Sequence, residues 1–264
     1  MKKILINSLA KSGTNYVIEI LRDVGYIEGA AGFSYQSVLS KPIFLRKLIR
    51  GGFFEKVPLV VGLDIQVAMG EGWVRRKLSR LSEGQFTSSH LNYSDRLSAI
   101  LKELNIATIQ VIRDPLAVAL SYKEYLEKSE AHLCHKSFVA LSDNQKWEVV
   151  VNGGKLGSLY VESLRQRLLA VSEWSRHPGN VFLIKYEDLI SARADSNDSF
   201  IAAFAEFIDC RKDDVLSSVK NTYGNSKTFN RGDDPRYRDR IPEVYLRQIK
   251  SEVADIALSW GYWQ

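Results

Sequence analysis

Ile4-Leu5-Ile6-Asn7-Ser8-Leu9-Ala10-Lys11-Ser12-Gly13-Thr14-Asn15-Tyr16 changes character in its middle. An apolar run that reads as a buried strand passes directly into Lys-Ser-Gly-Thr. Val17, Ile18, Leu21 and Val24 then repeat with helical spacing. A short loop between a strand end and a helix start is where open α/β sheets bind ligands. The first helical turn presents N–H groups without intrahelical partners, and the positive end of the helix dipole faces the loop. Lys11 adds a full charge, Ser12 and Thr14 add hydroxyls, and Gly13 permits close backbone approach, so the segment reads as a phosphate cradle. The alternative is an ordinary strand–helix turn with a solvated lysine. The Walker pattern is absent, because no glycine precedes Lys11 in the required place and the order is Lys-Ser-Gly-Thr.

Residues 106–126 have the same organisation. Ile106 to Ile112 form a β-branched run, and Asp114-Pro115 suits an N-cap followed by proline at the first helical position. Arg113 therefore stands at a strand's carboxyl end, and Ser121 lies about two turns along the next helix. Guanidinium grips a phosphate in bidentate fashion, and a serine hydroxyl adds a donor. The competing reading pairs Arg113 with Asp114 or a helix end. A third buried strand, from Val181, ends in Tyr186-Glu187-Asp188-Leu189.

The Lys-Ser-Gly-Thr order resembles the 5′-phosphosulfate loop of sulfotransferases that use 3′-phosphoadenosine-5′-phosphosulfate (PAPS), usually Pro-Lys-Ser-Gly-Thr-Thr-Trp. Here Ala10, Asn15 and Tyr16 replace the proline, the second threonine and the tryptophan. Arg-Asp-Pro followed by Ser121 resembles the family's 3′-phosphate motif, and Tyr186 resembles its tyrosine beside adenine. The family's closing Phe-Arg-Lys-Gly-x-x-Gly is matched by Phe229-Asn230-Arg231-Gly232, with one cation lost; Arg236 or Arg238 is a candidate replacement. Ser217 and Ser218 lie near the family's adenosine contact. The resemblance implies that Lys11, Ser12, Gly13, Thr14, Asn15 and Tyr16 hold the 5′ side of the nucleotide. It implies that Arg113, Ser121, Arg231 and Gly232 hold the 3′ side and that Tyr186 contacts adenine. PAPS is then the donor and adenosine 3′,5′-bisphosphate (PAP) the product.

Sulfuryl transfer to an alcohol needs a base near neutral pKa. Of four histidines, His90 in Phe86-Thr87-Ser88-Ser89-His90-Leu91 resembles the family's Lys-Thr-His-Leu-Pro, with Ser88 in place of the lysine and Asn92 in place of the proline. His90 is the expected base, and Asp64, at another strand end, is the competing carboxylate. Lys11 is expected to neutralise charge on the leaving oxygen. No metal is expected. His132-Leu133-Cys134-His135 does not match a zinc pattern, and His177 reads as a turn residue.

The chain has 264 residues, is 45% hydrophobic and carries a net charge of +5. Its cations are dispersed and no nucleic-acid reader module is recognisable, which argues against nucleic-acid binding. No apolar run approaches a membrane span or a secretory leader. Two distant cysteines, Cys134 and Cys210, fit a reducing compartment, so a cytoplasmic location is the expectation. Strands are expected at 2–7, 58–63, 84–89, 106–112 and 180–185. Helices are expected at 14–25, 94–104, 115–128, 158–176, 197–208, 212–221 and 242–260, with a loop at 222–240. This alternation predicts an α/β fold: one parallel sheet with helices on both faces, in a single domain over 1–264. The resemblance makes it the P-loop-like sulfotransferase fold.

Residues 26–80 and 129–157 match no motif and are expected to form the acceptor site or a lid, the second as a loop-rich insert over the cleft. Residues 26–56 and 71–80 interleave Trp73 and phenylalanines with Arg75, Arg76, Lys77 and Arg80. That pattern suits a mouth for an acidic or lipid-linked acceptor, or a helix against an anionic membrane; amphipathic helices with solvated cations are the plainer reading. The acceptor (glycan, lipid or small natural product) and the oligomeric state stay open. A nucleotide-dependent kinase and a non-catalytic nucleotide-binding protein are the rival functions.

Overall fold

The structure, a computed structural model, describes residues 1–29, 38–39, 41, 59–176, 180–194, 197–223 and 237–263. The described chain forms β1 (Lys3–Ser8), α1 (Thr14–Asp23), β2 (Ile27–Glu28), β3 (Leu59–Val61), β4 (Val67–Met69) and α2 (Glu71–Leu78). Then come β5 (Gln85–Ser89), α3 (Asp95–Glu103), β6 (Ile106–Ile112), α4 (Pro115–Lys128), α5 (His135–Val139) and α6 (Asp143–Asn152). The hairpin β7 (Gly154–Leu156) and β8 (Leu159–Val161) is followed by α7 (Leu164–Arg176), β9 (Val181–Lys185) and α8 (Tyr186–Arg193). Finally, α9 (Asp198–Phe207), α10 (Lys212–Thr222), a 3₁₀ turn (Tyr237–Arg240) and α11 (Glu243–Ser259) complete it.

The opening strand is the centre of the sheet. Among the described residues the main sheet has the order β2-β5-β1-β6-β9, with all neighbours parallel. Alternate side chains of β1 and β6 enter different cores, so both strands are mostly apolar and buried on both faces, with Asn7, Ser8, Thr108 and Gln110 as buried polar exceptions. Leu5, Ile106 and Ile112 pack with α3, α4, α7 and α11. Ile4, Ile6, Ile109 and Val111 pack with α1, α8, α9 and α10. A one-residue slip would exchange these faces, so burial holds the register that aligns the strand ends.

The helices expected at 94–104, 115–128, 197–208, 212–221 and 242–260 correspond to α3, α4, α9, α10 and α11, with ends that differ by at most one residue. Their starts have local causes. The Ser94 side chain accepts from the Leu97 N–H, and the Asp114 side chain accepts from the Leu116 N–H with proline next in line.

Two expectations fail. Residues 129–157 are not loop-rich. They hold α5 and α6, the second opened by a Ser142–Gln145 capping box, and they bury Phe138, Trp147, Val150 and Val151. The helix expected from 158 begins at Leu164, because Gly153, Gly154 and Gly157 adopt φ of 70°, 126° and 64° and turn the chain into the β7–β8 hairpin. A lesser difference is at Tyr186, which opens α8 instead of ending the strand.

Candidate functional site

Four neighbouring strands, β5, β1, β6 and β9, end together at the carboxyl edge of the sheet. Immediately beyond them stand His90, the Lys11 loop, Arg113 and Tyr186, in that spatial order. Parallel strands lie about 4.8 Å apart, so the row spans about 15 Å. The chain reverses its direction of travel across the sheet beside β1, and such a switch point opens a crevice.

The loop between β1 and α1 is held in a narrow set of conformations. Lys11 has φ of 73°, an uncommon left-handed value for a side chain of its size. Gly13 has φ of 105°, and a Cβ built there would overlap the Tyr186 ring. Glycine is therefore required twice over, by backbone and by neighbour. The Ser12 hydroxyl lies buried 2.6 Å from the Leu9 carbonyl oxygen and 3.2 Å from that of Val111. Thr14 Oγ1 lies 2.5 Å from Ser8 Oγ. Asn15 is half-buried in the first turn of α1.

The side chains of Ser12 and Tyr16 are engaged within the protein. Ser12 spends its donor on the Leu9 carbonyl of the loop and the Val111 carbonyl of β6. Tyr16 packs edge-on against Tyr186 and Tyr223 and donates from its hydroxyl to the Val219 carbonyl at 2.5 Å. It thus ties α1 to α10 inside the core. Apolar burial of a large ring outweighs its exposure in the crevice. Burial likewise pushes the Tyr16 hydroxyl far above its ordinary pKa.

Arg113 binds the neighbouring motifs together. Its Nη1 donates to the Lys11 carbonyl at 3.2 Å, and its guanidinium carbon sits 4.5 Å from the Tyr186 ring centre. Lys11 Nζ lies 4.8 Å from the Tyr125 ring centre on α4. Burial, with the charges of Arg113 and Lys128 adding to it, brings the Lys11 ammonium down to about 8. Lys11 and Arg113 together put positive potential at this strand end, which attracts an anion.

His90 flanks the other side of the loop. Its Nδ1 is 2.6 Å from the Ser8 carbonyl oxygen, a partner that only accepts. Nδ1 therefore carries the proton in the neutral ring, and Nε2 keeps the lone pair that a general base uses. Asn7 fixes this arrangement: its amide donates to the Leu91 carbonyl at 3.1 Å and accepts from the Leu91 N–H at 2.7 Å. The same amide donates to Gln110 at 2.8 Å. Asn7 was legible only as the last residue of an apolar run. A fully buried amide inside a strand is the signal that marks it, since such a group must be bonded.

Asp64, the competing base, is enclosed. It accepts from the Tyr122 hydroxyl at 3.2 Å and faces His132 Nε2 at 3.7 Å, with 4% of its surface exposed. Burial pushes its carboxyl up, but the His132 hydrogen bond and the charges of His90, His132 and Arg167 outweigh this and hold it below its ordinary value. His132 Nδ1 accepts from the Cys134 N–H, and His135 faces the Leu126 carbonyl. Among the described residues no group of three or more His, Cys, Asp or Glu is arranged to hold a metal ion.

Ser121 stands half-buried on α4, about two turns beyond Asp114. Ser218 is buried and its hydroxyl donates to the Ile20 carbonyl, so it joins α10 to α1. Arg231 and Gly232, together with Asn230, Arg236 and His177, lie outside the described residues, as do 30–37 and 42–58. On α2, Arg75 pairs with Glu71 and Glu103, and Lys77 lies over Trp73. These two cations are engaged on the helix surface. No helix among the described residues is long and apolar enough to cross a membrane.

No curated protein matches this sequence. Solved structures do share its fold. Mouse sulfotransferase SULT7A1 in complex with PAP aligns with a TM-score of 0.59 at 15% identity, covering 97% of this chain and 84% of that one. Retinol dehydratase in complex with androsterone and the inactive cofactor PAP aligns at 0.52 and 13% identity, covering 97% and 80%. The retinol and PAP complex of retinol dehydratase aligns at 0.52 and 14% identity, covering 97% and 81%. The sulfotransferase domain model matches residues 1–234. The chain thus belongs to the sulfotransferase domain family, and family and fold together support a PAPS-dependent sulfotransferase.

Proposed function

We propose that the chain transfers the sulfuryl group of PAPS to the hydroxyl of a small-molecule acceptor and releases PAP. The observation that carries this reading is the position of Arg113, which contacts the Lys11 loop through a hydrogen bond and Tyr186 through its ring. Three separate sequence motifs meet in that one side chain. The neighbours that hold androsterone or retinol support a hydroxyl-bearing, largely apolar acceptor.

The row of strand ends suggests the division of labour. Tyr186 meets the adenine. Arg113, with Ser121, Arg231 and Gly232, holds the 3′-phosphate. The Lys11 loop and the first-turn N–H groups of α1 receive the 5′-phosphosulfate. His90 Nε2 takes the acceptor proton as the acceptor oxygen attacks sulfur. The bond from sulfur to the bridging oxygen breaks in line, and Lys11 neutralises the charge left on that oxygen. Positioning and electrostatics suffice, without a covalent enzyme intermediate.

The test is acceptor-dependent PAP release from PAPS, with androsterone, retinol and simple phenols as acceptors. His90→Asn should lower kcat by about 10²- to 10⁴-fold, the usual contribution of general-base catalysis, with PAP affinity kept. A His90→Asn enzyme with undiminished turnover would remove the base assignment. Absence of PAP release with every hydroxyl acceptor would favour a protein that binds the nucleotide without using it.

A further inference from the structure

Asp114 and Glu187 have no assigned part in the reaction, yet Asp114 is buried and Glu187 half-buried beside residues that do. Asp114 uses its two oxygens differently. Oδ1 caps α4 by accepting from the Leu116 N–H at 2.8 Å. Oδ2 accepts from the Tyr237 hydroxyl at 2.8 Å, the Trp263 indole N–H at 3.0 Å and Arg238 Nη2 at 3.4 Å. A single carboxylate oxygen thus gathers two segments that lie more than a hundred residues away in sequence.

Glu187 completes the arrangement. Its Oε1 accepts from the Asp114 N–H at 3.2 Å, and its Oε2 accepts from the Tyr262 hydroxyl at 2.6 Å. Burial pushes the Glu187 carboxyl above its ordinary value, against the pull of the Tyr262 hydrogen bond and the Arg113 charge. Lys185 lies over the Tyr262 ring. Trp263 holds a left-handed φ of 59°, a costly conformation for a bulky residue that persists only when its surroundings enforce it. Tyr262 and Trp263 are therefore docked at a defined place, on the carboxylates next in sequence to Tyr186 and Arg113.

We infer that Asp114 and Glu187 are positioning residues that latch Tyr262 and Trp263 beside Arg113, and that this latch sets the enzyme's discrimination for the 3′-phosphate of its nucleotide. The inference rests on the reading of Arg113 as the 3′-phosphate grip. Asp114 and Glu187 flank Arg113 and Tyr186 in the chain, so their side chains fix the backbone from which both groups project. Free of the latch, the guanidinium keeps its charge but loses its aim, and bidentate recognition depends on aim.

The test compares PAP with adenosine 5′-monophosphate, which lacks the 3′-phosphate. The double variant Tyr262→Phe/Trp263→Phe keeps an aromatic ring at each position and removes both donors, the second ring being smaller than the indole it replaces. Glu187→Gln is the second variant, and it tests the latch from its other side. The expected result is a loss of about tenfold in the PAP-over-monophosphate affinity ratio, the scale of a charged hydrogen bond, with monophosphate affinity kept within about twofold. An unchanged ratio in folded variants overturns the inference. So does an equal fall for both nucleotides, which would mean general loosening. A wild-type protein with no preference for PAP would instead overturn the reading of Arg113, and the latch with it.

Discussion

Lys11→Ala is expected to lower kcat by about 10²- to 10³-fold, the cost of removing one group aimed at developing transition-state charge. Binding of the acceptor should change little, because Lys11 faces the leaving oxygen in this account. The variant also removes a proton-linked signal. In the free protein Lys11 titrates at about 8, so it is charged below that pH and neutral above it. An anion prefers the charged form. Nucleotide affinity should therefore fall as pH rises through about 8, and binding at pH 8 should take up about half a proton. Calorimetry in buffers of different ionisation heat reads this uptake directly. The same shift costs the folded state stability below pH 8, a cost relieved as pH rises toward the ordinary lysine value of 10.5. A Lys11→Ala enzyme within threefold of wild-type kcat, or proton uptake that survives the substitution, would contradict the role.

Arg113→Ala should weaken PAP binding by about 1.5–3 kcal/mol, roughly 10- to 150-fold. The effect has two sources. The variant loses the guanidinium itself, and it also releases the Lys11 carbonyl and the face of Tyr186. Arg113→Lys should rescue little, because a lysine keeps the charge but not the planar fork or the stacking. Equilibrium titration with PAP checks both variants. Affinity within threefold of wild type for Arg113→Ala would place the 3′-phosphate elsewhere.

The parts of the molecule legible in the sequence are those set by local chemistry. The apolar runs 4–6 and 106–112 read as strands because a parallel sheet buries both of their faces. Asp114-Pro115 marks a helix start because capping and a missing N–H are local facts. The row of His90, Lys11, Arg113 and Tyr186 follows from placing each at a strand end, although the sequence says nothing of the order β5-β1-β6-β9 that makes them neighbours.

What was missed depends on contacts made through space. Tyr16 stands in the motif that the resemblance gives to the nucleotide and is a core residue, because α10 returns to cover it. Residues 129–157 look irregular because polar and apolar positions are mixed over two short helices, each of which buries only a few side chains. Asp114 looks like a cap alone, and its second oxygen finds Tyr237, Arg238 and Trp263 only once the chain has closed on itself. The missing cation at Asn230 was legible from the motif. Its neighbours Arg231 and Gly232 lie outside the described residues, and Arg238 is within hydrogen-bonding reach of Asp114.

The most direct test of the account is calorimetric titration with PAP, with adenosine 5′-monophosphate and with ATP, each with and without magnesium. PAP is expected to bind with a dissociation constant of about micromolar, independent of magnesium and weakened at least tenfold when the 3′-phosphate is absent. A preference for ATP with magnesium, or no nucleotide binding at all, would contradict it.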